Sequence, residues 1–371
     1  MSRVLAHLER LVGFRSLTDR PNGDIVDYLA DALGAAGARV HRLFDESGER
    51  SGIFASLGPK GPGGVMLSGH VDVVPVVGQA WSSDPFRLRH EGDRVYGRGT
   101  TDMKGYLACM LVAAERAGDL ARPLKLAFSW DEEIGCRGIP VMLARLEETV
   151  GRPEICIVGE PTQMRIAIGH KGKTSLRAVC HGAAGHSADA PDYVNALHLA
   201  AAFINALQAE QARLQREGTR DAGFSTPVST VHAGVMQGGT ALNIVPDRAE
   251  ILFEIRNLAP DVPEEIIARL RAAAARIGGI EIEETGGYPG LAADTDGPAV
   301  RLMQQIMPEA ALTKVSYGTE AGHFARAGID TVVCGPGTMA QGHKPDEFIE
   351  IAELKRCEAM LERLLARLRC T

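Results

Sequence analysis

Several signals that mark common protein classes are missing from this sequence. The seven cysteines are odd in number and scattered, with no Cys-x-x-Cys pair, so they indicate neither a disulfide framework nor a zinc knuckle. No apolar run approaches the roughly eighteen residues of a membrane span. The net charge of −7 argues against a general nucleic-acid binder, which would normally carry a basic face. We therefore expect a cytoplasmic protein with buried, reduced thiols and with neither membrane nor nucleic-acid partners.

Two catalytic signatures are missing as well. The chain has no Gly-x-Ser-x-Gly elbow, so little supports a nucleophilic serine. The pair Gly97 and Gly99 lacks the spacing to a third glycine that a dinucleotide site requires. Because paired cysteines are also absent, any metal ion must be held by carboxylates and imidazoles.

Length and element order predict two domains. With 371 residues, of which 45% are hydrophobic and 23% charged, the chain can bury the core of an ordinary globular protein. Helix and strand patterns alternate towards both ends, which is typical of an α/β domain. Between them, Lys173–Glu284 has the order β-α-β-β-α-β of a ferredoxin-like sandwich, with a helix over about Val194–Glu210 and a loop over Arg213–Pro227. We predict a discontinuous domain, residues 1–172 and 285–371, into which residues 173–284 are inserted.

Acids and imidazoles follow the ends of several predicted strands. Ligands in open α/β sheets bind outside the carboxyl ends of strands, so such residues are expected to meet at one rim. One residue, Asp102, lies instead among the small residues of Gly97–Gly105, directly before an alanine-rich helical run. The others are His70 with Asp72, Glu132 with Glu133, Glu160 and, after a later strand, His343. This concentration of ionisable groups at one rim is hard to explain as packing.

Each of these residues also has an ordinary interpretation. Asp102 could cap the N-terminus of its helix, and His70 could be a hydrogen-bonded histidine at a strand end. The adjacent glutamates could be solvated surface, where their repulsion is weak. The metal hypothesis depends on the residues occurring together.

Together these side chains predict a pair of divalent ions. Two imidazoles and three carboxylates without a thiolate suit Zn²⁺, Co²⁺ or Mn²⁺. The set is too large for a single tetrahedral zinc with an open position, but it fits two ions that share a carboxylate with water between them. Such a centre hydrolyses an amide or an ester. Glu132 would take a proton from the water and deliver it to the leaving amine, while Asp72 could fix the tautomer of His70.

A series of short motifs, taken in order, is similar to that of one enzyme family. The motifs are Ser68–Asp72, Gly97–Gly105, Asp131–Glu133, Gly159–Pro161, His170–Gly172, Gly185–Ser187, Asn243–Pro246 and Gln341–Glu347. With them the sequence resembles the M20 co-catalytic zinc metallopeptidases over essentially its whole length. The resemblance implies a zinc-exopeptidase-like catalytic domain, with a mixed sheet between helices, and an inserted ferredoxin-like α+β domain through which the protein forms a homodimer.

The same resemblance implies roles at the rim. The cofactors would be two divalent ions, zinc with cobalt as the alternative. The ligands of the first ion would be His70, Asp102 and Glu160, and those of the second Asp102, Glu133 and His343. Glu132 would be the general base and Asp72 would orient His70. The peptide bond between Asp102 and Met103 would be cis.

The inserted domain would supply further site residues. His186 resembles the imidazole that reaches the partner subunit's site in dimeric relatives and stabilises the oxyanion there. Asn243 and Arg256 resemble residues that hold the carboxylate side of the substrate, for which a bidentate guanidinium is suited. The alternatives are that His186 caps the following helix and that Arg256 is an exposed strand residue.

Two later motifs bear on the substrate, a small N-acyl amino acid. Tyr317–His323 and Gly335–Gly337 resemble the branch of the family that hydrolyses N2-acetyl-L-ornithine to L-ornithine and acetate in arginine biosynthesis. Glu320 could pair with the cationic amine of ornithine, or could be an acid in the first turn of a helix. N-succinyl-diaminopimelate, another N-acyl amino acid or a dipeptide stays open as the substrate. A catalytically silent metal or amino-acid binder is a further alternative, against which the presence of Glu132 argues.

Overall fold

The computed structural model describes residues 2–370, and its helices and strands are numbered in chain order. The helices are α1 Arg3–Gly13, α2 Gly23–Ala35, α3 Gly105–Glu115, α4 Gly138–Leu143, α5 Leu146–Thr149, α6 Ala196–Glu217, α7 Pro263–Ile277, α8 Pro298–Ile306, α9 Ala321–Arg326 and α10 Ile351–Leu368. The strands are β1 Arg39–Phe44, β2 Ser51–Leu57, β3 Val65–His70, β4 Arg89–Glu91, β5 Arg94–Tyr96, β6 Leu124–Ser129, β7 Ile155–Pro161, β8 Ile166–His170, β9 Lys173–His181, β10 Gly185–His186, β11 Thr230–Gly238, β12 Ile244–Val245, β13 Arg248–Arg256, β14 Ile280–Tyr288, β15 Leu291–Ala292, β16 Leu312–Val315, β17 Asp330–Gly335 and β18 Phe348–Glu350. Among residues 2–370, no helix combines the length and the apolar character of a membrane span.

The chain forms two units. The first consists of the residues up to Gly169, Ala293–Val315 and the residues from Thr319 onward. The second consists of His170–Ala292 and Ser316–Gly318. The second unit is thus longer than the predicted insertion, residues 173–284, at both ends. The reason is strand pairing, because β14 continues to Tyr288, which lies opposite Lys173 at the start of β9.

A mixed sheet runs through the first unit. Its strand order is β1-β2-β6-β3-β7-β17-β8, with β16 beside β8. Strand β3 pairs in parallel with both β6 and β7, and β17 pairs in parallel with β7, whereas β1, β2 and β8 pair antiparallel. The predicted mixed sheet is therefore confirmed. Because parallel strands end at the same edge, the residues that follow β3, β6, β7 and β17 come together there.

Helices of two kinds surround this sheet. The residues Gly105–Ala114 of α3 are all buried, as expected for a helix that is apolar on every side. In α10 the buried residues recur with helical spacing, including Leu354, Cys357, Leu361 and Leu368, so that one face is apolar. On β7, Gly159 allows close approach to α3, because a Cβ at this position would lie 2.0 Å from the ring of Tyr106. The sheet and α3 are thereby held at a short distance just before Glu160.

The second unit is an antiparallel sheet with two helices on one face. The strand order β11-β13-β9-β14, together with the chain order β9-α6-β11-β13-α7-β14, is ferredoxin-like, as predicted. Its core contains Phe203 of α6, Phe253 of β13 and Leu270 of α7. The rings of Phe203 and Phe253 meet edge to face, with centroids 5.6 Å apart.

Two local predictions are wrong. Helix α6 continues to Glu217, so residues 213–217 are helical rather than part of a loop. The buried face of the helix explains the difference, because Leu214 follows Leu207 at helical spacing and lies beyond the predicted end at Glu210. Among the cysteines, Cys370 is exposed, whereas the other six are buried.

Candidate metal centre

Asp102 faces two imidazoles in the first unit. Its Oδ1 atom lies 3.2 Å from Nε2 of His70, and its Oδ2 atom lies 3.2 Å from Nε2 of His343. The residue belongs to a partly helical turn, Thr100–Lys104, and the peptide bond from Asp102 to Met103 is cis, as the sequence resemblance implied. Each carboxylate oxygen is therefore directed at a different imidazole.

Two glutamates complete the group. Oε1 of Glu160 lies 3.7 Å from Nε2 of His70, and Oε2 of Glu133 lies 2.9 Å from Nε2 of His343. The structure thus brings all five predicted ligands together, with Asp102 shared between two sets. Glu132 lies in the same cluster, since its ligand atom, that of His70 and that of Glu160 are within 4.8 Å of one another. Distance alone does not separate Glu132 from the predicted ligands.

The glutamates of this cluster resist ionisation, whereas Asp102 does not. Desolvation is the main cause of the raised pKa of Glu133, about 7, and of the pKa of Glu160, which lies well above its usual range; repulsion by Asp102 adds to both shifts. Burial alone would raise the pKa of Asp102 too, but hydrogen bonds with His343 and His70 lower it. Hydrogen bonds with Asp102 and Glu133 raise the pKa of His343 to about 10. A cluster of buried carboxylates is costly unless cations compensate it.

The donor set fits divalent metal ions. Oxygen and imidazole nitrogen atoms are ligands of zinc, cobalt and manganese alike. In addition, Oε1 of Glu160 is buried without a hydrogen-bond partner among the described residues. Buried polar atoms are nearly always paired, so this oxygen is available to a cation. The cluster therefore has both the charge and the open lone pairs that a metal site requires.

Asp72 fastens two parts of the site. Its carboxylate accepts hydrogen bonds from the backbone N–H groups of Glu132, at 3.1 Å, and Glu133, at 3.3 Å. Nδ1 of His70 lies 2.9 Å from the backbone oxygen of Asp72 and 3.5 Å from its Oδ1 atom. The sequence interpretation had the carboxylate orient His70, whereas the carbonyl oxygen is the nearer partner. The contact of Asp72 with the two glutamates was not anticipated.

The turn that carries the two glutamates has an unusual backbone. Asp131 precedes them with a φ of 52°, and Cys136 follows with a φ of 55°, both in the left-handed region that non-glycine residues seldom adopt. The carboxylate of Asp131 accepts hydrogen bonds from the Asp19 backbone N–H at 2.9 Å and from the Arg50 guanidinium at 2.5 Å. These contacts hold the strained start of the turn.

Cys136 contacts Glu132 directly. Its Sγ atom lies 3.3 Å from Oε1 of Glu132, and its backbone N–H donates to the Glu132 carbonyl oxygen at 2.8 Å. Burial raises the pKa of the Cys136 thiol well above its ordinary value, so the sulfur keeps its proton. Sequence reasoning missed this contact, because scattered cysteines predicted only buried thiols.

Glu347 holds the Asp102 turn through hydrogen bonds with its backbone. One of its oxygens accepts from the backbone N–H groups of Thr101 and Asp102, and the other from the Gly99 N–H and the Arg98 guanidinium, at distances between 2.7 and 3.1 Å. Glu347 and Arg98 are each 1% exposed. Glu347 belongs to one of the motifs of the family resemblance, but nothing in that motif indicates a contact with the Asp102 turn.

The structure does not support the predicted role of Glu320. This glutamate is 1% exposed, and its oxygens accept hydrogen bonds from the hydroxyl groups of Ser68 on β3 and Ser129 on β6. Burial raises its pKa, although both hydroxyl groups act in the opposite direction. A buried carboxyl group with two protein donors is not presented to a substrate amine. Glu320 instead connects strands β3 and β6 through these hydrogen bonds.

The remaining predicted residues belong to the second unit. His186 is exposed, and its Nδ1 atom accepts from the backbone N–H of Ala188, as the capping alternative proposed. Asn243 is exposed, and its backbone oxygen accepts from the Ser187 N–H. Arg256 is half-buried and donates to Glu254 at 2.9 Å and to the Tyr288 hydroxyl at 2.7 Å. The side chains of His186 and Arg256 thus each have a partner within this unit.

Comparisons with known proteins agree on one family. The profile of peptidase family M20/M25/M40 matches residues 66–367. Acetylornithine deacetylase of Myxococcus xanthus is 33% identical over 372 residues, covering 97% of this chain and 96% of that protein. Acetylornithine deacetylase of Proteus mirabilis is 32% identical over 359 residues, covering 94% of this chain and 90% of that protein. The solved structure of the M20 family metallo-carboxypeptidase Sso-CP2 from Sulfolobus solfataricus has a TM-score of 0.82 at 19% identity, over 100% of this chain and 99% of that chain, which supports the fold alone.

Proposed function

Since the chain belongs to peptidase family M20/M25/M40 and is a metal-dependent hydrolase of amide bonds, we propose that it removes the acetyl group from N2-acetyl-L-ornithine. The products would be L-ornithine and acetate, in arginine biosynthesis. The observation that carries the reaction is the placement of Asp102, with one carboxylate oxygen 3.2 Å from each of two imidazoles. The substrate is taken from the name of relatives that align over nearly the whole chain.

The cofactors in this proposal are two zinc ions, with cobalt as the alternative. The first would be held by His70, Asp102 and Glu160, and the second by Asp102, Glu133 and His343. In support, Asp102 has one oxygen for each set, and Glu160 has an unpartnered buried oxygen. When bound, two such ions would lower the pKa of a water molecule and polarise the substrate carbonyl.

The protein's own residues would move the proton and hold the geometry. Glu132 would accept a proton from the attacking water, whose oxygen adds to the acetyl carbonyl carbon. The same carboxyl group would deliver that proton to the amine nitrogen as the carbon–nitrogen bond breaks, which releases acetate and the free amine. Asp72 would keep Glu132 in place through the backbone, at 3.1 Å.

The reaction is tested by Glu132→Gln. Glutamine has nearly the same size but cannot accept the proton, so turnover should fall by about 10³-fold. Bound zinc, measured by elemental analysis, should stay at the wild-type content. The matched control is Glu148→Gln, which changes an exposed glutamate on α5. Wild-type turnover by Glu132→Gln would remove the base from the mechanism.

The substrate is tested separately by amine release from a panel. N-acetylornithine, N-succinyl-diaminopimelate, N-acetylmethionine and a dipeptide are compared before chelation, after chelation and after restoration with zinc or cobalt. We expect turnover to depend on metal and to be fastest with N-acetylornithine. If another compound is hydrolysed fastest, the proposed reaction stands but the proposed substrate is replaced. Absence of all turnover would favour a silent binder.

A homodimer formed through the second unit is a further part of the proposal. Strand β11 lies at the edge of its sheet and exposes Val235 and Met236, which are 45% and 44% accessible. The exposed His186 would reach the partner's site and stabilise the oxyanion, while Asn243 and Arg256 would hold the substrate carboxylate. A cytoplasmic location stays a prediction.

Subunit mixing tests the action of His186 across a dimer. His186→Ala and Glu132→Gln subunits, each inactive alone, should regain part of the activity when combined, because one of the two sites then receives both intact residues. Verified heterodimers without recovery would count against this arrangement. Wild-type subunits mixed with Glu132→Gln subunits provide the reference for the yield of heterodimer.

A further inference from the structure

The thiol of Cys136 is placed to fix the direction of the Glu132 side chain. Its sulfur lies 3.3 Å from Oε1 of Glu132, and the residue is 1% exposed, so water does not compete readily for the contact. The S–H group is the donor in this contact, and the carboxylate oxygen accepts. The contact spans one turn of backbone, so it does not depend on distant parts of the chain.

The backbone brings the thiol to this position at a cost. The N–H groups of Gly135 and Cys136 both donate to the Glu132 carbonyl oxygen, at 2.9 and 2.8 Å. Cys136 itself has a φ of 55°, in the left-handed region, which is strained for a residue that has a Cβ. Glycine would avoid this cost, but it would supply no donor to Glu132.

We propose that Cys136 is a positioning residue for Glu132, whose S–H group holds the carboxylate in one orientation. This inference rests on the proposed function, in which Glu132 transfers the proton. A thiol suits the task because its single S–H group can donate to one carboxylate oxygen, Oε1 of Glu132.

Two substitutions test the proposal on the zinc-loaded enzyme. Cys136→Ala removes the donor, and kcat should fall about tenfold, since misplaced catalytic groups lose rate steeply. KM and zinc content should be unchanged, because no substrate or metal contact is removed. Cys136→Ser restores a donor and should recover most of kcat. Both replacements keep a single Cβ, so the left-handed backbone affects them alike.

An infrared measurement examines the contact without any need for activity. The S–H stretching band of Cys136, identified by its loss in Cys136→Ser, should shift to higher frequency when Glu132→Gln weakens the acceptor. The proposal is overturned if this band does not shift. It is also overturned if Cys136→Ala keeps wild-type kcat, or if the alanine and serine variants lose kcat equally.

The same set of variants separates the two hypotheses. If Glu132→Gln retains turnover, the proposed base fails and the role of Cys136 fails with it. If Glu132→Gln is inactive while Cys136→Ala is unaffected, only the role of Cys136 fails. A loss of zinc or a lower Tm in Cys136→Ala together with Cys136→Ser would assign the thiol to packing and would also overturn the proposal.

Discussion

The carboxylate of Glu347 accepts a hydrogen bond from the backbone N–H of Asp102, at 3.1 Å. Asp102, which both predicted sets of metal ligands share, is therefore held by a second, buried acid that lies 245 positions further along the chain. Because the same carboxylate also binds Thr101 and Gly99, it fixes the backbone on the N-terminal side of Asp102. The direction of the two Asp102 oxygens thus depends on a residue that touches no predicted ligand side chain.

Glu347→Gln should disrupt this turn. The amide would point N–H donors at backbone N–H donors, leaving buried groups unpaired, and we expect a loss of about 3 kcal/mol in the free energy of unfolding. Denaturant titration measures the loss, and zinc content should fall with it. Glu350→Gln is the control, because the side chain of Glu350 is 46% exposed. A Glu347→Gln protein with wild-type stability and zinc content would contradict the role given to Glu347.

The protein, once a chelator has removed its metal, should release protons when it binds metal again. Hydrogen bonds with Asp102 and Glu133 raise the pKa of His343 to about 10, so this imidazole holds a second proton near pH 7. A metal ion needs the imidazole neutral, so apparent affinity should rise with pH, by about tenfold per unit for each proton displaced. Calorimetric titration with zinc in two buffers of different ionisation enthalpy measures the release. Identical heats in both buffers would contradict it.

The strand-end rule explains why much of the metal centre could be predicted from sequence. His70 and Glu160 lie at the ends of β3 and β7, and Glu133 follows β6, so their meeting is determined by parallel pairing alone. The prediction for Glu320 fails because its hydrogen-bond partners, the hydroxyl groups of Ser68 and Ser129, lie on strands β3 and β6, far from it in sequence. A sequence pattern gives no sign of such distant contacts.

The contacts of Cys136 and Glu347 escaped prediction for different reasons. Cys136 is only four residues from Glu132, but its contact requires a left-handed backbone that sequence suggests for glycine rather than cysteine. Glu347 is remote in sequence from the turn that it holds. The end of α6 was set too early because a stretch of polar residues concealed the buried Leu214.

Arg50 should be required for the turn that carries Glu132. Its guanidinium pairs with Asp131, whose side chain is 3% exposed and whose backbone is left-handed. Arg50→Ala would leave this carboxylate buried without its cation, and we expect a loss of about 2 kcal/mol in stability together with lower kcat. Unfolding titrations and steady-state kinetics measure both effects.

Arg50→Lys and Arg39→Ala complete that experiment. Lysine keeps the charge but not the forked geometry, so Arg50→Lys should recover stability in part. Arg39 donates to backbone oxygens at residues 58 and 59, and its replacement should leave kcat unchanged. Equal kinetic effects of Arg39→Ala and Arg50→Ala would show that the turn does not depend on Arg50 in particular.

Glu210 should stabilise the second unit in a pH-dependent way. Its carboxylate, 7% exposed, joins Arg213 of α6 and Arg269 of α7. Burial alone would raise its pKa, but the hydrogen bonds from both arginines outweigh burial and lower it from the usual 4.5. A lowered folded-state pKa means that the stabilisation is complete above about pH 4.5 and is lost as the pH falls below it. Because both arginines are partly exposed, solvent screening limits the contribution to about 1 kcal/mol.

Hydrogen exchange of peptides from α6 and α7 measures this contribution in Glu210→Gln. Protection should fall about fivefold near neutral pH, and the difference from wild type should shrink as the pH drops below about 4.5, where the wild-type carboxyl group takes up its proton. Comparing both proteins at each pH cancels the intrinsic exchange rate. Glu217→Gln is the control, since Glu217 lies on the same helix with its side chain 60% exposed. A difference that stays constant with pH would mean that Glu210 acts through packing, because only an ionised carboxylate gains from the two arginines.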